Sequence, residues 1–161
     1  MLVALTVAVA GCGSSANKSA KTTPTTVSTS TASSPTDLTR KPTIAKPAGP
    51  PPRTLVVKDI VKGSGPVATT GKTVTVQYVG VLYSTGQQFD ASWDRGQPLP
   101  PFPLGAGQVI PGWDKGLVGM RVGGRRELII PPNLAYGAQG SPPAIGPNET
   151  LIFDVDLLKV S

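Results

Sequence analysis

The sequence predicts an α+β domain in which one helix packs across an antiparallel sheet, preceded by a disordered tether. Three observations predict it. Short segments alternate apolar and polar residues between Gly and Pro punctuation, the period of half-buried strands. One stretch instead has apolar residues at intervals of three and four. A long Ser/Thr/Pro-rich segment precedes both and offers no apolar face.

The elements follow in chain order. Met1 to Ala10 is almost wholly apolar and is followed by Gly11-Cys12-Gly13-Ser14-Ser15. Ten apolar residues are too few to span a bilayer as a helix, but they suit a signal-peptide core. The run Val9-Ala10-Gly11-Cys12 resembles a bacterial lipobox, in which small residues let a peptidase cut before a cysteine that becomes lipidated. Residues 1–11 are therefore expected to be a signal peptide and Cys12 the lipidation site. No Lys or Arg precedes the apolar run, which points to a true start upstream of Met1. From Gly13 to Pro52, Ser, Thr and Pro make up more than half the residues, and Val27, Leu38 and Ile44 are the only larger aliphatics. Such a segment cannot bury enough apolar surface to offset the entropy of ordering. Residues 12–52 are expected to form a disordered tether, dispensable for folding, that holds the domain roughly 35 Å from the membrane.

Residues 53–161 form the expected domain, long enough for a single core. Leu55 to Val61 reads as a strand. Val74, Val76 and Tyr78 alternate with Thr73, Thr75 and Gln77. Arg126, Leu128 and Ile130 form a third strand, stopped by Pro131-Pro132. Leu151, Phe153, Val155 and Leu157 alternate with Thr150, Ile152, Asp154 and Asp156 in the last. Ile110, Trp113, Leu117 and Met120 have helical spacing, with Pro111 near the start and Gly123-Gly124 placed to end the helix.

Composition excludes much chemistry. The chain has no His, and Cys12 is its one cysteine. A Ser or Cys nucleophile with a His base cannot be built, nor can a His-bearing or multi-Cys zinc site. The net charge of +6 belongs mostly to the tether, since nine basic and eight acidic residues nearly balance from Thr54 onward. That distribution, without a basic stripe interleaved with aromatics, argues against nucleic acid. Gly105-Ala106-Gly107 lacks the third glycine of a dinucleotide fingerprint, and Gly123-Gly124-Arg125-Arg126 lacks the lysine of a phosphate loop; both read as turns.

The aromatic set Tyr78, Tyr83, Phe89, Trp93, Phe102, Trp113, Tyr136 and Phe153 is rich for so Gly- and Pro-laden a domain. Tyr78, Trp113 and Phe153 fall on apolar faces and point inward. Phe89, Phe102, the charged pair Asp90 and Arg95, and Tyr136 fall in loop-rich stretches, where a concave apolar site would draw its rim. A plain aromatic core is the other reading.

The order Val76-Gln77-Tyr78-Val79-Gly80, then Gly86-Gln87-Gln88-Phe89-Asp90-Ala91-Ser92, resembles the opening half of an FKBP-type peptidyl-prolyl isomerase. Val109-Ile110-Pro111-Gly112-Trp113, Ala135-Tyr136-Gly137 and Leu151-Ile152-Phe153-Asp154-Val155-Asp156-Leu157-Leu158 continue the match across Arg53–Ser161. The resemblance implies a twisted antiparallel sheet wrapped around one short α-helix. It implies a pocket of Tyr78, Phe89, Asp90, Phe102, Val109, Ile110, Trp113, Tyr136, Ile145 and Phe153, with Trp113 as its floor. The Ile110 N–H and the Tyr136 hydroxyl would hold substrate carbonyls, and Asp90 would lie at the edge, oriented by Arg95 and Tyr78.

Such chemistry needs no nucleophile, metal or cofactor. Rotating a peptide bond costs about 18–20 kcal/mol because the twisted form loses resonance. A twisted amide also has less charge separation, so it suits an apolar pocket better than the planar forms do. The expected activity is X–Pro isomerisation in exported proteins, from a monomer anchored by its lipid to the extracytoplasmic side of the cell membrane. Expected partners are proline-containing polypeptides and macrolides of the rapamycin type. Two other readings stay open: a module that binds proline segments or a host protein, and a structural lipoprotein domain. Three departures bear on substrate preference and macrolide affinity. Leu99-Pro100-Pro101-Phe102-Pro103 is one residue longer than the family pattern and lacks its first aromatic. Ser141 stands where many members carry His, and Ala144 replaces a larger aliphatic beside Ile145.

Overall fold

A computed structural model describes residues 36–161; the expected signal peptide, Cys12 and the first part of the tether lie outside them. The strands are β1 (Val56–Val61), β2 (Thr73–Leu82), β3 (Gln88–Ala91), β4 (Phe102–Pro103), β5 (Arg125–Ile130) and β6 (Leu151–Val160). They form one antiparallel sheet in the order β1-β5-β6-β2-β3, with β4 paired to the start of β2. Among the described residues there is one α-helix, α1 (Pro111–Gly116), and it packs against Leu128 and Ile130 on the inner face. The α+β architecture expected from the sequence is therefore the one observed.

Close approach of α1 to the sheet depends on two glycines. A Cβ on Gly112 would come 2.3 Å from the Ile130 side chain, and one on Gly116 would come 2.7 Å from Leu128. Trp113, Leu117 and Met120 are all buried, as their spacing predicts. The helix, however, is shorter than expected and does not run to Gly123-Gly124. It ends at Gly116, and Gly119 takes a left-handed φ of 81° that helical backbone cannot continue through. Leu117 to Met120 thus complete the apolar face from a turn.

The tether differs more. Residues 36–52 are not free of the domain; those from Asp37 to Lys46 form a strap across the outer face of the sheet. The Arg125 guanidinium donates to the carbonyls of Asp37 (3.2 Å) and Arg40 (3.0 Å). Lys41 pairs with Asp94 at 2.5 Å, and Ile44 packs on a second apolar cluster of Val79, Val81, Tyr83, Ala91 and Ile152. Further on, Tyr83 donates its hydroxyl to the Pro50 carbonyl at 3.1 Å. The Thr- and Pro-rich composition hid this because few apolar residues are needed where backbone carbonyls meet a buried guanidinium.

The strap also explains β6. Its alternation holds on the inner face, yet the outer-face residues Ile152, Asp154 and Asp156 are equally buried. Asp156 forms a two-point ion pair with Arg125, which is fully buried.

Candidate active site

At one end of the inner face the core opens into a cavity of about 430 Å³, lined by residues of β2, β3, β6, α1 and the loops after β3, before α1 and after β5. Its base is a cluster of rings. Trp113 meets Tyr78 edge-on at a centroid distance of 5.1 Å and Phe153 at 5.2 Å; Phe89 meets Phe153 at 5.5 Å. These are the edge-to-face arrangements that aromatic quadrupoles favour. Gly80 makes room for them. A Cβ there would come 2.6 Å from Phe89 and 2.8 Å from Phe153.

Polar groups are concentrated at one side. Tyr78 donates its hydroxyl to Asp90 Oδ2 in a short hydrogen bond. Arg95 donates from Nη1 to Asp90 Oδ1 at 2.5 Å and from Nη2 to Tyr78 Oη at 2.9 Å. Burial, then the hydrogen bond to Asp90, pushes the Tyr78 hydroxyl up to about 12, so it remains a donor at any physiological pH. The hydrogen bonds to Tyr78 and Asp90 raise Arg95 above its ordinary value. The triad is held from below, because Ser92, wholly buried, accepts the Tyr78 N–H at 2.8 Å.

Trp113 Nε1 is buried in the floor without a partner, and two further donors are left unspent. The Ile110 carbonyl starts α1 by accepting from Trp113 N–H at 2.9 Å, but its own N–H has no acceptor among the described residues. Tyr136 is 41% exposed, and its hydroxyl likewise has no partner there. Partial burial, then the charge of Asp90, keeps that hydroxyl protonated by raising it above its usual range.

The loop wall is fixed from the helix. Asp114, next to Trp113, accepts from Gly105 N–H at 2.8 Å and from Gly107 N–H at 2.9 Å, one through each carboxylate oxygen. Both glycines have left-handed φ angles, 81° and 71°. This curl presents Gly107, Gln108, Val109 and Ile110 to the cavity.

Of the residues singled out in the sequence, Tyr78, Phe89, Asp90, Val109, Ile110, Trp113, Tyr136 and Phe153 line the cavity together. Phe89 and Asp90 do so from a strand rather than a loop. Three others are elsewhere. Arg95 stands behind Asp90. Phe102 lies on β4, buried behind Trp113 at a centroid distance of 6.1 Å. Ile145 is core, in a loop closed by paired hydrogen bonds with Ser141. Leu99, Gly107 and Gln108 line the cavity and were missed. Leu99 had a signal, since it occupies the segment whose first aromatic is absent.

Among the described residues no cluster of acidic, Cys or His side chains could hold a metal ion, and no helix is long and apolar enough to cross a membrane.

Comparison with known proteins gives a consistent picture. The sequence model of the family described as FKBP-type peptidyl-prolyl cis-trans isomerase matches residues 65–158. An FK506-binding protein of Streptomyces anulatus is 61% identical over 121 residues, covering 74% of this chain and 97% of that protein. A stretch of that length cannot fit between Arg53 and Ser161, so the likeness reaches into the strap. An FK506-binding protein of Neisseria meningitidis serogroup A is 51% identical over 106 residues, 66% of this chain and 95% of that one. Among solved structures, AtFKBP13 is similar with a TM-score of 0.62 and 40% identity, over 66% of this chain and 93% of that one. FkpA from Escherichia coli gives 0.60 and 46%, over 66% and 48%.

Proposed function

Because this chain belongs to the FKBP-type peptidyl-prolyl cis-trans isomerase family, we propose that it accelerates rotation about X–Pro bonds in the cavity above Trp113. The observation that carries this reading is the pairing of two unspent donors, the Ile110 N–H and the Tyr136 hydroxyl, with one aromatic cavity. A proline ring enters over Trp113, between Tyr78, Phe89 and Phe153. The two donors take the carbonyls on either side of the rotating bond. Asp90, held by Tyr78 and Arg95, gives the rim its only carboxylate.

The uncatalysed rotation takes tens to hundreds of seconds because the planar amide is stabilised by resonance and by hydration of its charge-separated form. An apolar cavity withdraws the hydration, and fixed donors hold the flanking groups at the angle of the twisted form. Interactions stronger in that form than in either planar one lower the barrier; uniform binding would not. No proton needs to move. Leu99, where an aromatic would narrow the mouth, leaves room for larger residues before the proline. Macrolides of the FK506 and rapamycin type would occupy the same cavity.

The substrates we propose are exported proteins, and the setting is the outer side of the cell membrane, reached through lipidation at Cys12. Val9-Ala10-Gly11-Cys12 supports this, as does the Ser/Thr/Pro-rich spacer after it. Proline-limited refolding of an unfolded protein, with and without the purified chain, tests the activity. No acceleration, together with measurable binding of a proline peptide, would make the protein a binding module instead. Mass spectrometry tests the anchor: a mature chain with acylated Cys12 is expected, and an unmodified Cys12 in released protein would refute it.

A further inference from the structure

On the outer face of β6 lies a carboxyl group that the isomerase reaction does not use. Asp154 is 3% exposed, and its Oδ1 is buried without a hydrogen-bond partner. It occupies the outer face of β6 between Ile152 and Asp156, opposite Val79 of β2 and Glu127 of β5. The strap grips Arg125 through the Asp37 and Arg40 carbonyls and reaches the Val79–Ile152 cluster with Ile44. Asp154 lies in register between those two grips, two residues from Asp156 and two from Ile152.

Its charged neighbours leave it poorly compensated. From β5 come Glu127, a second carboxylate, and Arg125; from β6 comes Asp156; from β1 comes Lys58, which stands 4.0 Å from Glu127. Arg125 is committed to both oxygens of Asp156 and to the strap carbonyls. The strap's own charges at this end, Asp37 and Arg40, pair with each other at 3.4 Å. From β2, Val79 and Gln77 bring no charge. An ionised carboxylate sealed here would have no hydrogen bond at Oδ1 and a like charge beside it.

We propose that Asp154 is a proton-controlled latch for the strap: the neutral acid keeps residues 37–46 docked, and the carboxylate loosens them. Burial first, and then the charge of Glu127, pushes Asp154 up to about 7. With the strap lifted the group meets water and returns toward the ordinary aspartate value near 4. Between those two values the docked form carries a proton that the released form lacks. Each pH unit of rise across that window weakens docking roughly tenfold, and the loss is complete above the higher value. Lys41 adds a consequence. It pairs with Asp94, the neighbour of Arg95, so release of the strap leaves Asp94 with Gln88 as its remaining side-chain partner and loosens one tie on the turn that carries the clamp on Asp90.

A nitroxide label on Thr43→Cys, an exposed strap position, in a Cys12→Ser background of the full chain reads docking directly. The ratio of mobile to immobile spectral components should rise at least tenfold from pH 5 to pH 7 and stay level to pH 8.5. In Asp154→Asn the ratio should not change with pH. An unchanging spectrum with Asp154 present, or the same rise in Asp154→Asn, overturns the latch. Should Asp154→Asn fail to fold, carboxyl NMR of the unsubstituted chain decides, because titration of Asp154 near 4 overturns the proposal and titration near 7 upholds it.

Discussion

Arg125 and Asp156 face each other across β5 and β6 as a two-point ion pair, Nε to Oδ1 at 2.5 Å and Nη2 to Oδ2 at 2.7 Å, with both side chains almost completely buried. Neither reaches solvent, and the strap supplies two further acceptors for the guanidinium, the carbonyls of Asp37 and Arg40. Burial raises the Asp156 carboxyl while Arg125 opposes the rise.

Breaking this pair leaves a buried charge uncompensated, which costs about 3–5 kcal/mol in comparable sites. Asp156→Ala is therefore expected to lower Tm by more than roughly 10 °C. A thermal melt followed by circular dichroism checks it. A loss of only a degree or two would mean that the guanidinium finds other partners.

Removing the strap should be costly where removing the residues before it is not. Ile44, which is partly buried, loses part of the roughly 1.5–3 kcal/mol that full burial of such a side chain is worth, and the outer-face cluster loses a packing partner. Deleting residues 13–35 should leave Tm within about 2 °C, whereas deleting 13–52 should lower it by roughly 5–15 °C. Equal melts for the two deletions would show that the strap contributes nothing to stability.

Tyr136→Phe removes one hydroxyl at the cavity mouth and leaves the ring. A typical net hydrogen bond of about 0.5–1.5 kcal/mol gives a two- to tenfold loss in kcat/KM with little change in Tm. Asp90→Val should cost at least as much, since it removes the carboxylate that Tyr78 and Arg95 hold. Isomerisation of a Leu-Pro peptide is the assay. Full activity in both variants would place the reaction elsewhere.

Trp113→Ala should damage both properties. The ring is 3% exposed and touches Tyr78, Phe102 and Phe153, so truncation costs about 3–5 kcal/mol and removes the cavity floor. Activity per folded molecule, taken well below the lowered Tm, should also fall.

The inner half of this protein was legible in its sequence because apolar spacing reports burial wherever one face is wet. The alternation of β2 up to Tyr78 and the spacing of Trp113, Leu117 and Met120 read directly. The outer half was not. Asp154 and Asp156 look like a solvated face, yet both are buried, Asp156 against an Arg125 that also holds the strap carbonyls. Within the site, the ring-bearing and charged residues were legible through the family's motifs. Gly107 and Gln108 were not, because they reach the cavity through a backbone curl that their side chains do not announce. Phe102 misled in the opposite sense: it is aromatic and near the cavity in sequence, but two-residue β4 turns it behind Trp113.

That backbone curl has a consequence for how the site can vary. Trp113 and Asp114 are adjacent on α1, one bearing the cavity floor and the other tying down the Gly105–Ile110 wall. Floor and wall therefore move as one piece, registered to the sheet by Gly112 and Gly116. Leu99 and the segment after Tyr136 lie outside that piece. Substitutions at those positions can therefore change the shape of the cavity mouth without disturbing Trp113 or the wall that Asp114 ties down.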